Sequence, residues 1–248
     1  MLMGSDILTF VLVGFLAQVV DGALGMGYGV ISTSFLLSFG VPPAMASASV
    51  HTAEVFVTGA SGIAHLGNGN VERRLVLRLV IPGVIGGVLG AYILTEMPGE
   101  KIRSVIAGYL LVMGAVILRR ALTWRAPKPV PVRLAPLGFV GGFLDSVGGG
   151  GWGPIVTSAL LAQGQAPRSA IGSVSLTEFF VTVAQAVTFF AVLRWVHWQV
   201  ATGLLVGGVL AAPLAAYACR RLPARLVMGL VGALILVLSL RTVVQALR

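Results

Sequence analysis

Apolar runs of about twenty residues or more recur along the whole chain, separated by short polar or basic breaks, and each is long enough to cross roughly 30 Å of hydrocarbon. Eight such segments are legible, at about 7 to 39, 43 to 66, 75 to 95, 102 to 122, 134 to 163, 167 to 193, 198 to 218 and 224 to 246. The pattern predicts an all-α polytopic membrane protein with almost no chain left over for a soluble domain. The opening, Met1 to Asp6, has no Lys or Arg before its apolar run and no A-x-A site follows, so the first run is expected to be retained rather than cleaved as a signal peptide.

Composition agrees with this reading. With 57% hydrophobic residues, 10% charged residues and a mean hydropathy of +0.97, the chain has too little polar surface to coat a soluble globule of 248 residues. Its net charge of +9 does not call for a nucleic-acid partner, because the 17 basic residues sit mainly in the breaks, where the positive-inside rule expects them. Cys219 is the single cysteine, so an intrachain disulfide and a cysteine-based metal cluster are excluded.

The segments come in two sets. Offsetting the chain against itself by 124 positions pairs Asp21 with Asp145, Gly25 with Gly149, Gly27 with Gly151, Gly29 with Gly153, Thr33 with Thr157, Gly40 with Gly164, Pro43 with Pro167, Ser49 with Ser173, Glu54 with Glu178 and Thr58 with Thr182. One further residue of offset extends the match through Gly83/Gly208, Tyr92/Tyr217 and Pro98/Pro223. The chain therefore reads as a two-fold internal repeat of four segments each: a first membrane repeat over 1–122, a cytoplasmic linker over 123–133 and a second membrane repeat over 134–248. The hinge, RRALTWRAPKPVPVR from Arg119 to Arg133, has five basic residues and three prolines, as an exposed linker would.

The first segment of each half is unusual. DGALGMGYG at Asp21 to Gly29 and DSVGGGGWGP at Asp145 to Pro154 place glycines and a proline where a regular helix holds poorly. Two geometries accommodate them: a discontinuous spanning helix with an unwound centre, or a re-entrant hairpin that returns to its own side. If all eight segments cross, the basic residues divide eleven against six; with both glycine segments as hairpins they divide twelve against five, and Glu96 and Glu100 move to the outer face. The count tips slightly toward hairpins, which leave three crossings per half and make the repeats inverted about an axis in the membrane plane. Either geometry puts the linker in the cytoplasm and the glycine turns near mid-bilayer.

Backbone without helical hydrogen bonds is costly in hydrocarbon, so unwound segments at that depth must be shielded by protein or line a wet cavity. Glycines let amides approach a ligand closely, and the half-helices beginning near Val30 and Pro154 point their positive ends at the turns. The pattern suits an anion held by backbone dipoles and hydroxyls, since no Lys or Arg lies inside a segment where a central anion would rest. Candidate contacts are Gly25, Gly27 and Gly29, Gly149, Gly150, Gly151 and Gly153, and Ser49, His51, Thr52, Ser173, Ser175 and Thr177. The competing reading is that the hydroxyls bond their own or a neighbouring helix.

Four acids lie at membrane depth: Asp21, Asp145, Glu54 and Glu178. An ionised carboxylate there costs at least ~2.5 kcal/mol, so such a group usually serves function or satisfies a specific partner. Functionally they are proton-coupling candidates, a protonated acid donating to an anion and releasing its proton on the other side. Structurally, the aspartates read more simply as caps on glycine N–H groups. For the glutamates the two readings stand level.

Metal binding is not expected, because His51 and Glu54 share a helical face but make only two ligands, and Ser175 replaces the histidine in the second half. His65, at a segment end, and His197, beside Trp195 and Trp198, suit interfacial anchoring. No H-E-x-x-H or G-x-S-x-G motif is present and the glycine run lacks the strand that a dinucleotide site needs, so neither an enzyme nor a cofactor is expected. Small-residue spacings such as Gly83 to Gly87 can pack helices within or between chains, leaving oligomeric state open.

Two copies of an acid, a glycine turn, a hydrophobic run, a proline and a small-residue stretch such as AIGSVSLTE resemble the TauE/SafE sulfite exporter family, also called the 4-toluene sulfonate uptake permease family, over essentially the whole chain. The resemblance implies a secondary transporter that moves a sulfur-containing anion such as sulfite, thiosulfate or an organosulfonate across the bacterial inner membrane, in the export direction and coupled to protons, with a passive anion channel as the alternative. It also implies that Gly25 to Gly29, Gly148 to Gly153, Ser47 to Thr52 and Gly172 to Thr177 line the pathway. In the first copy Leu24 and Met26 interrupt the glycines and Val30 replaces Pro154, so the two turns depart from strict equivalence.

Overall fold

The computed structural model describes residues 7–123, 133–194, 197–221 and 224–246, and among them the regular structure is entirely helical. Ten α-helices follow in order: α1 (Ile7–Leu24), α2 (Tyr28–Ser38), α3 (Pro43–Gly67), α4 (Arg73–Glu96), α5 (Gly99–Thr123), α6 (Leu134–Gly148), α7 (Ser158–Ala162), α8 (Pro167–Leu193), α9 (Trp198–Arg221) and α10 (Ala224–Ala246), with a π-helical turn at Gly153–Thr157 leading into α7. The predicted segments match these elements to within a few residues. Most of the linker, 124–132, and Trp195 fall outside the described residues, as does the side chain of Cys219.

Four helices among the described residues are long and apolar enough to cross a membrane, spanning Arg73–Glu96, Ile102–Thr123, Pro167–Leu193 and Arg225–Gln245. The burial pattern is that of a protein in lipid. Ile63, Leu77, Ile81 and Val237 are exposed, whereas His51, Glu54, Asp145, Ser146, Thr182 and Gln185 are buried. Apolar surface gains little by leaving hydrocarbon for a helix interface, so close backbone approach must hold the helices together. Glycine supplies it: a Cβ on Gly90 would stand 2.6 Å from the Phe143 carbonyl oxygen where α4 meets α6, and one on Gly14 would stand 2.7 Å from the Leu204 Cα where α1 meets α9.

The glycine segments fold back on themselves. α1 and α2 have 18 and 11 residues, and α6 has 15, so at 1.5 Å per residue the arms reach about 27, 16 and 22 Å, each short of a full crossing. In the second half a Cβ on Gly151 would lie 3.2 Å from the Asp145 backbone nitrogen, and one on Gly141 would lie 2.6 Å from Val156 Cγ2. The chain after the turn therefore runs back along α6. In the first half Gly27 lies beside the Val20 side chain in the same way. Glycines at positive φ make the reversals, Gly25 (66°) and Gly27 (125°) in one turn, Gly149 (65°) and Gly150 (155°) in the other. Of the two geometries open to the sequence, the hairpin is the one the backbone adopts.

Both hairpins end alike. Left-handed Gly40 (84°) and Gly164 (86°) stop the returning arms, and Pro43 and Pro167 open α3 and α8 in the first helical turn, where a missing N–H costs nothing. Contacts recur at the repeat offset. α1 packs on α9 as α6 packs on α4, while α3 meets α8 and α5 meets α10, each against its own counterpart.

Candidate functional site

The two glycine turns meet. A Cβ on Gly29 would lie 2.8 Å from the Gly150 Cα, and one on Gly153 would lie 2.8 Å from the Met26 Cα, positions related by the offset of 124. Thr33 Oγ1 donates to the Gly149 carbonyl and Thr157 Oγ1 donates to the Gly25 carbonyl at 3.3 Å, the same bond made twice in exchanged roles. Glycine is required at this crossing because any side chain at Gly150 would collide with the backbone of Gly29 and Val30.

Around the crossing lies a polar cleft bounded by Gly27, Tyr28, Gly29 and Val30 from one turn, Gly150, Gly151, Gly153 and Pro154 from the other, and all four membrane acids, Asp21, Glu54, Asp145 and Glu178. Among the described residues no Lys or Arg lines it. Its free space is about 10 Å³, on the order of one water. α3 and α8 pack against each other below the turns, with Thr58 and Thr182 hydroxyls 3.4 Å apart, so each contributes its glutamate to the same cleft.

The four acids have unequal surroundings. Asp145 is buried (1% exposed), and its Oδ1 accepts from the backbone N–H groups of Gly151 at 2.7 Å and Trp152 at 3.0 Å. Its Oδ2 lies 3.0 Å from the Gln185 amide nitrogen and 3.1 Å from His51 Nε2. Asp21, by contrast, is only half-buried and accepts from Tyr28 N at 3.4 Å. Glu54 is buried (3% exposed), and its Oε2 has no hydrogen-bond partner but stands 3.9 Å from His51 Nε2. Glu178 is half-buried, and Ser175 occupies the place that His51 takes in the first half.

Of the remaining sequence candidates, the structure brings none into the cleft lining. Gly25 and Gly149 present carbonyls to the opposite turn, as above. Thr52 donates to the Ala48 carbonyl at 2.6 Å and Thr177 to the Ser173 carbonyl at 2.7 Å, both within their own helices. Ser173 Oγ accepts from the Glu72 backbone N–H at 2.8 Å, Ser49 is buried with its hydroxyl oxygen unpartnered, and Ser175 is half-buried. His51 sits behind Glu54 and Asp145.

His51, Glu54 and Asp145 offer three ligand-capable atoms within 4.8 Å of one another. These atoms read better as a hydrogen-bonded group than as a metal centre, because His51 does not line the cleft and three N–H donors already occupy most of the Asp145 lone pairs. Residues that sequence reasoning passed over include Gln185, Tyr28 and Tyr109, whose hydroxyl donates to the Gly150 carbonyl at 3.2 Å. Gln185 had a signal: an amide fully buried within an apolar helix needs a polar partner. Thr33 and Thr157 also stood in the repeat, in register with each other.

A helical multi-pass protein with paired re-entrant hairpins around a polar interior cleft has the architecture of a membrane transporter. The family described as Sulfite exporter TauE/SafE matches residues 10–242, and the chain belongs to that family. It is 43% identical over 251 residues to the probable membrane transporter protein YtnM of Bacillus subtilis (strain 168), covering 97% of this chain and 84% of the relative. It is also 26% identical over 186 residues to the probable membrane transporter protein ORF9 of Sinorhizobium sp, covering 71% of this chain and 64% of the relative. No solved structure matches it.

Proposed function

We propose that the protein is a secondary transporter that exports a small sulfur-containing anion (sulfite, thiosulfate or an organosulfonate) across the bacterial inner membrane, coupled to proton movement through the cleft acids. The observation that carries the reading is the meeting of two glycine turns at a buried cleft ringed by four carboxyl groups. Backbone amides are the donors such a cleft offers an anion, and one turn already holds a carboxyl oxygen: Asp145 Oδ1 takes two consecutive N–H groups. The first turn is the more available. Asp21 holds the Tyr28 N–H at only 3.4 Å, at the positive end of α2, so an incoming anion displaces Asp21 more readily than Asp145.

Charge supports the proton. At an effective dielectric near 20, each ionised carboxylate about 5 Å from a bound anion costs about 3 kcal/mol, so the cleft accepts an anion more readily with each acid that is neutralised. With no Lys or Arg among the described lining residues, protons are the available neutralising charge. Glu54 and Glu178, lacking the aspartates' capping duty, are the natural carriers. A protonated glutamate donates to the anion; loss of the proton expels it. The cleft has room for about one water, which favours alternating access, with the turns parting to admit substrate, over an open passive pore.

Flux of sulfite, thiosulfate, sulfoacetate, taurine and sulfate into liposomes that hold the purified protein, with and without an imposed pH gradient, tests this reading. Saturable flux of at least one sulfur anion, accelerated by the gradient, is expected. Flux that rises linearly with concentration and ignores the gradient would instead mark a channel.

A further inference from the structure

The hydrogen bonds around His51 account for one more proton than its neutral ring would carry. Nδ1 lies 2.8 Å from the Ser47 carbonyl oxygen, which can only accept, so Nδ1 bears a hydrogen. The Ser47 hydroxyl, 3.2 Å from Nδ1, spends its own hydrogen on the Ser146 carbonyl at 2.7 Å and offers the ring only a lone pair. The other ring nitrogen, Nε2, faces Asp145 Oδ2 at 3.1 Å. Gln185 fixes the carboxylate side of this contact: its Nε2 reaches both Asp145 Oδ2 at 3.0 Å and the Gly142 carbonyl at 3.3 Å, so the amide cannot be flipped without setting oxygen against two acceptors. With Oδ1 occupied by Gly151 and Trp152, a neutral ring would set the Nε2 lone pair against a carboxylate lone pair in a site with no exposure to water.

We infer that His51 and Asp145 share a resident proton between Nε2 and Oδ2, and that His51 hands this proton to Glu54 as the coupled proton of transport. The assignment rests on the transport reading above. Glu54 is placed to receive it: Oε2 has no other partner and stands 3.9 Å from Nε2, while Oε1 faces the cleft beside Gly29. In the transfer the Nε2–H bond breaks, its electron pair stays on Nε2, and an O–H bond forms at Glu54 Oε2. Imidazolium and carboxylate become neutral imidazole and neutral acid, the net charge of the three groups is unchanged, and the negative charge passes from Glu54 to Asp145, where Gly151, Trp152 and Gln185 donate to it. Asp145, still held by three N–H groups, keeps its place and draws the next proton back to Nε2. The other groups facing this unit are Asp21 and Tyr28 from the first hairpin, Glu178 from α8 and Tyr109 from α5, and among the described cleft residues none is a permanent cation. The counterpart corner has Ser175 in place of the ring and has no such store.

Two measurements test the inference on the full-length protein. Histidine ¹⁵N NMR, with His51 assigned by difference against His65→Gln and His197→Gln, is expected to show both ring nitrogens protonated or Nε2 sharing a proton near neutral pH. A bare, neutral Nε2 would overturn it, as would a stoichiometric metal ion found by elemental analysis. In liposomes, one coupled proton supports about tenfold accumulation across a pH gradient of about one unit. His51→Gln is expected to abolish that accumulation while sparing anion-for-anion exchange; full gradient-driven accumulation in this variant would overturn the coupling role. A wild-type protein that moves none of the sulfur anions would overturn the transport reading and the coupling that rests on it, while the NMR result still decides the shared proton. Should His51→Gln fail to fold, the NMR experiment on wild-type protein retains its force.

Discussion

The two corners of the cleft carry the same acids in different settings. In one, Asp145 is buried beneath Gly151 and Trp152 N–H groups, Gln185 and His51, and Glu54 stands by with a free oxygen. In the other, Asp21 is half-buried with one long contact to Tyr28, and Glu178 has Ser175 for a neighbour on its helix. The turns differ too, because positive φ falls on Gly25 and Gly27 in one but on the adjacent Gly149 and Gly150 in the other. One corner holds its aspartate with four hydrogen-bond partners; the other holds its aspartate with one. Related sequence thus supplies two different settings for the same pair of acids within one small space.

The largest way to break the comparison is at the crossing. Gly150→Ala combines φ of 155° with a collision against the Gly29 and Val30 backbone, and is expected to cost about 3–5 kcal/mol or to prevent folding. Gly27→Ala, whose Cβ would meet the Val20 side chain at 3.3 Å, is expected to cost about 1–3 kcal/mol. Thermal unfolding in detergent measures both, and equal losses would contradict the inequality of the turns.

Next come the aspartates. Asp145→Asn removes charge from a carboxylate that accepts from Gly151, Trp152, Gln185 and His51, and is expected to lower stability by about 2–4 kcal/mol. Asp21→Asn has little to lose structurally, and by removing a repelling charge it is expected to raise anion affinity by roughly tenfold, about 1.4 kcal/mol. Titration calorimetry with sulfite or sulfoacetate reads the gain, and weaker binding would place the anion elsewhere.

The glutamates sharpen the difference. Glu54→Gln is expected to remove gradient-driven accumulation while preserving anion binding, with a smaller loss for Glu178→Gln. Equal loss in both would divide the proton work between the corners, and unchanged coupling in both would remove it from the glutamates. The smallest expected effect is at Thr52→Val, where an intrahelical bond to Ala48 is lost, for about 0.5 kcal/mol and no change in transport.

Segment positions were legible because lipid imposes long apolar runs, and the breaks were legible because alternating glycines are a poor helix. The hairpin was not, since the basic-residue count separating it from a spanning helix differs by a single charge. What decides it is tertiary, the seat of Val156 against Gly141. The cleft acids were visible as rare charges at membrane depth, yet their inequality was hidden: His51 and Asp145 stand 94 residues apart, and aligning the halves sets the histidine beside a serine, which draws attention away from it. Hydroxyls misdirect in the other direction. Thr52 and Thr177 look like ligands in sequence, but a threonine in a helix finds the carbonyl four residues back.

Simultaneous recording of anion efflux and internal pH in proteoliposomes, for wild type and Glu54→Gln, tests the joint use of the cleft by anion and proton most directly. A fixed ratio of protons to anions in the wild type, lost in the variant while exchange persists, is the predicted result. Anion movement with no accompanying pH change in either protein would contradict it.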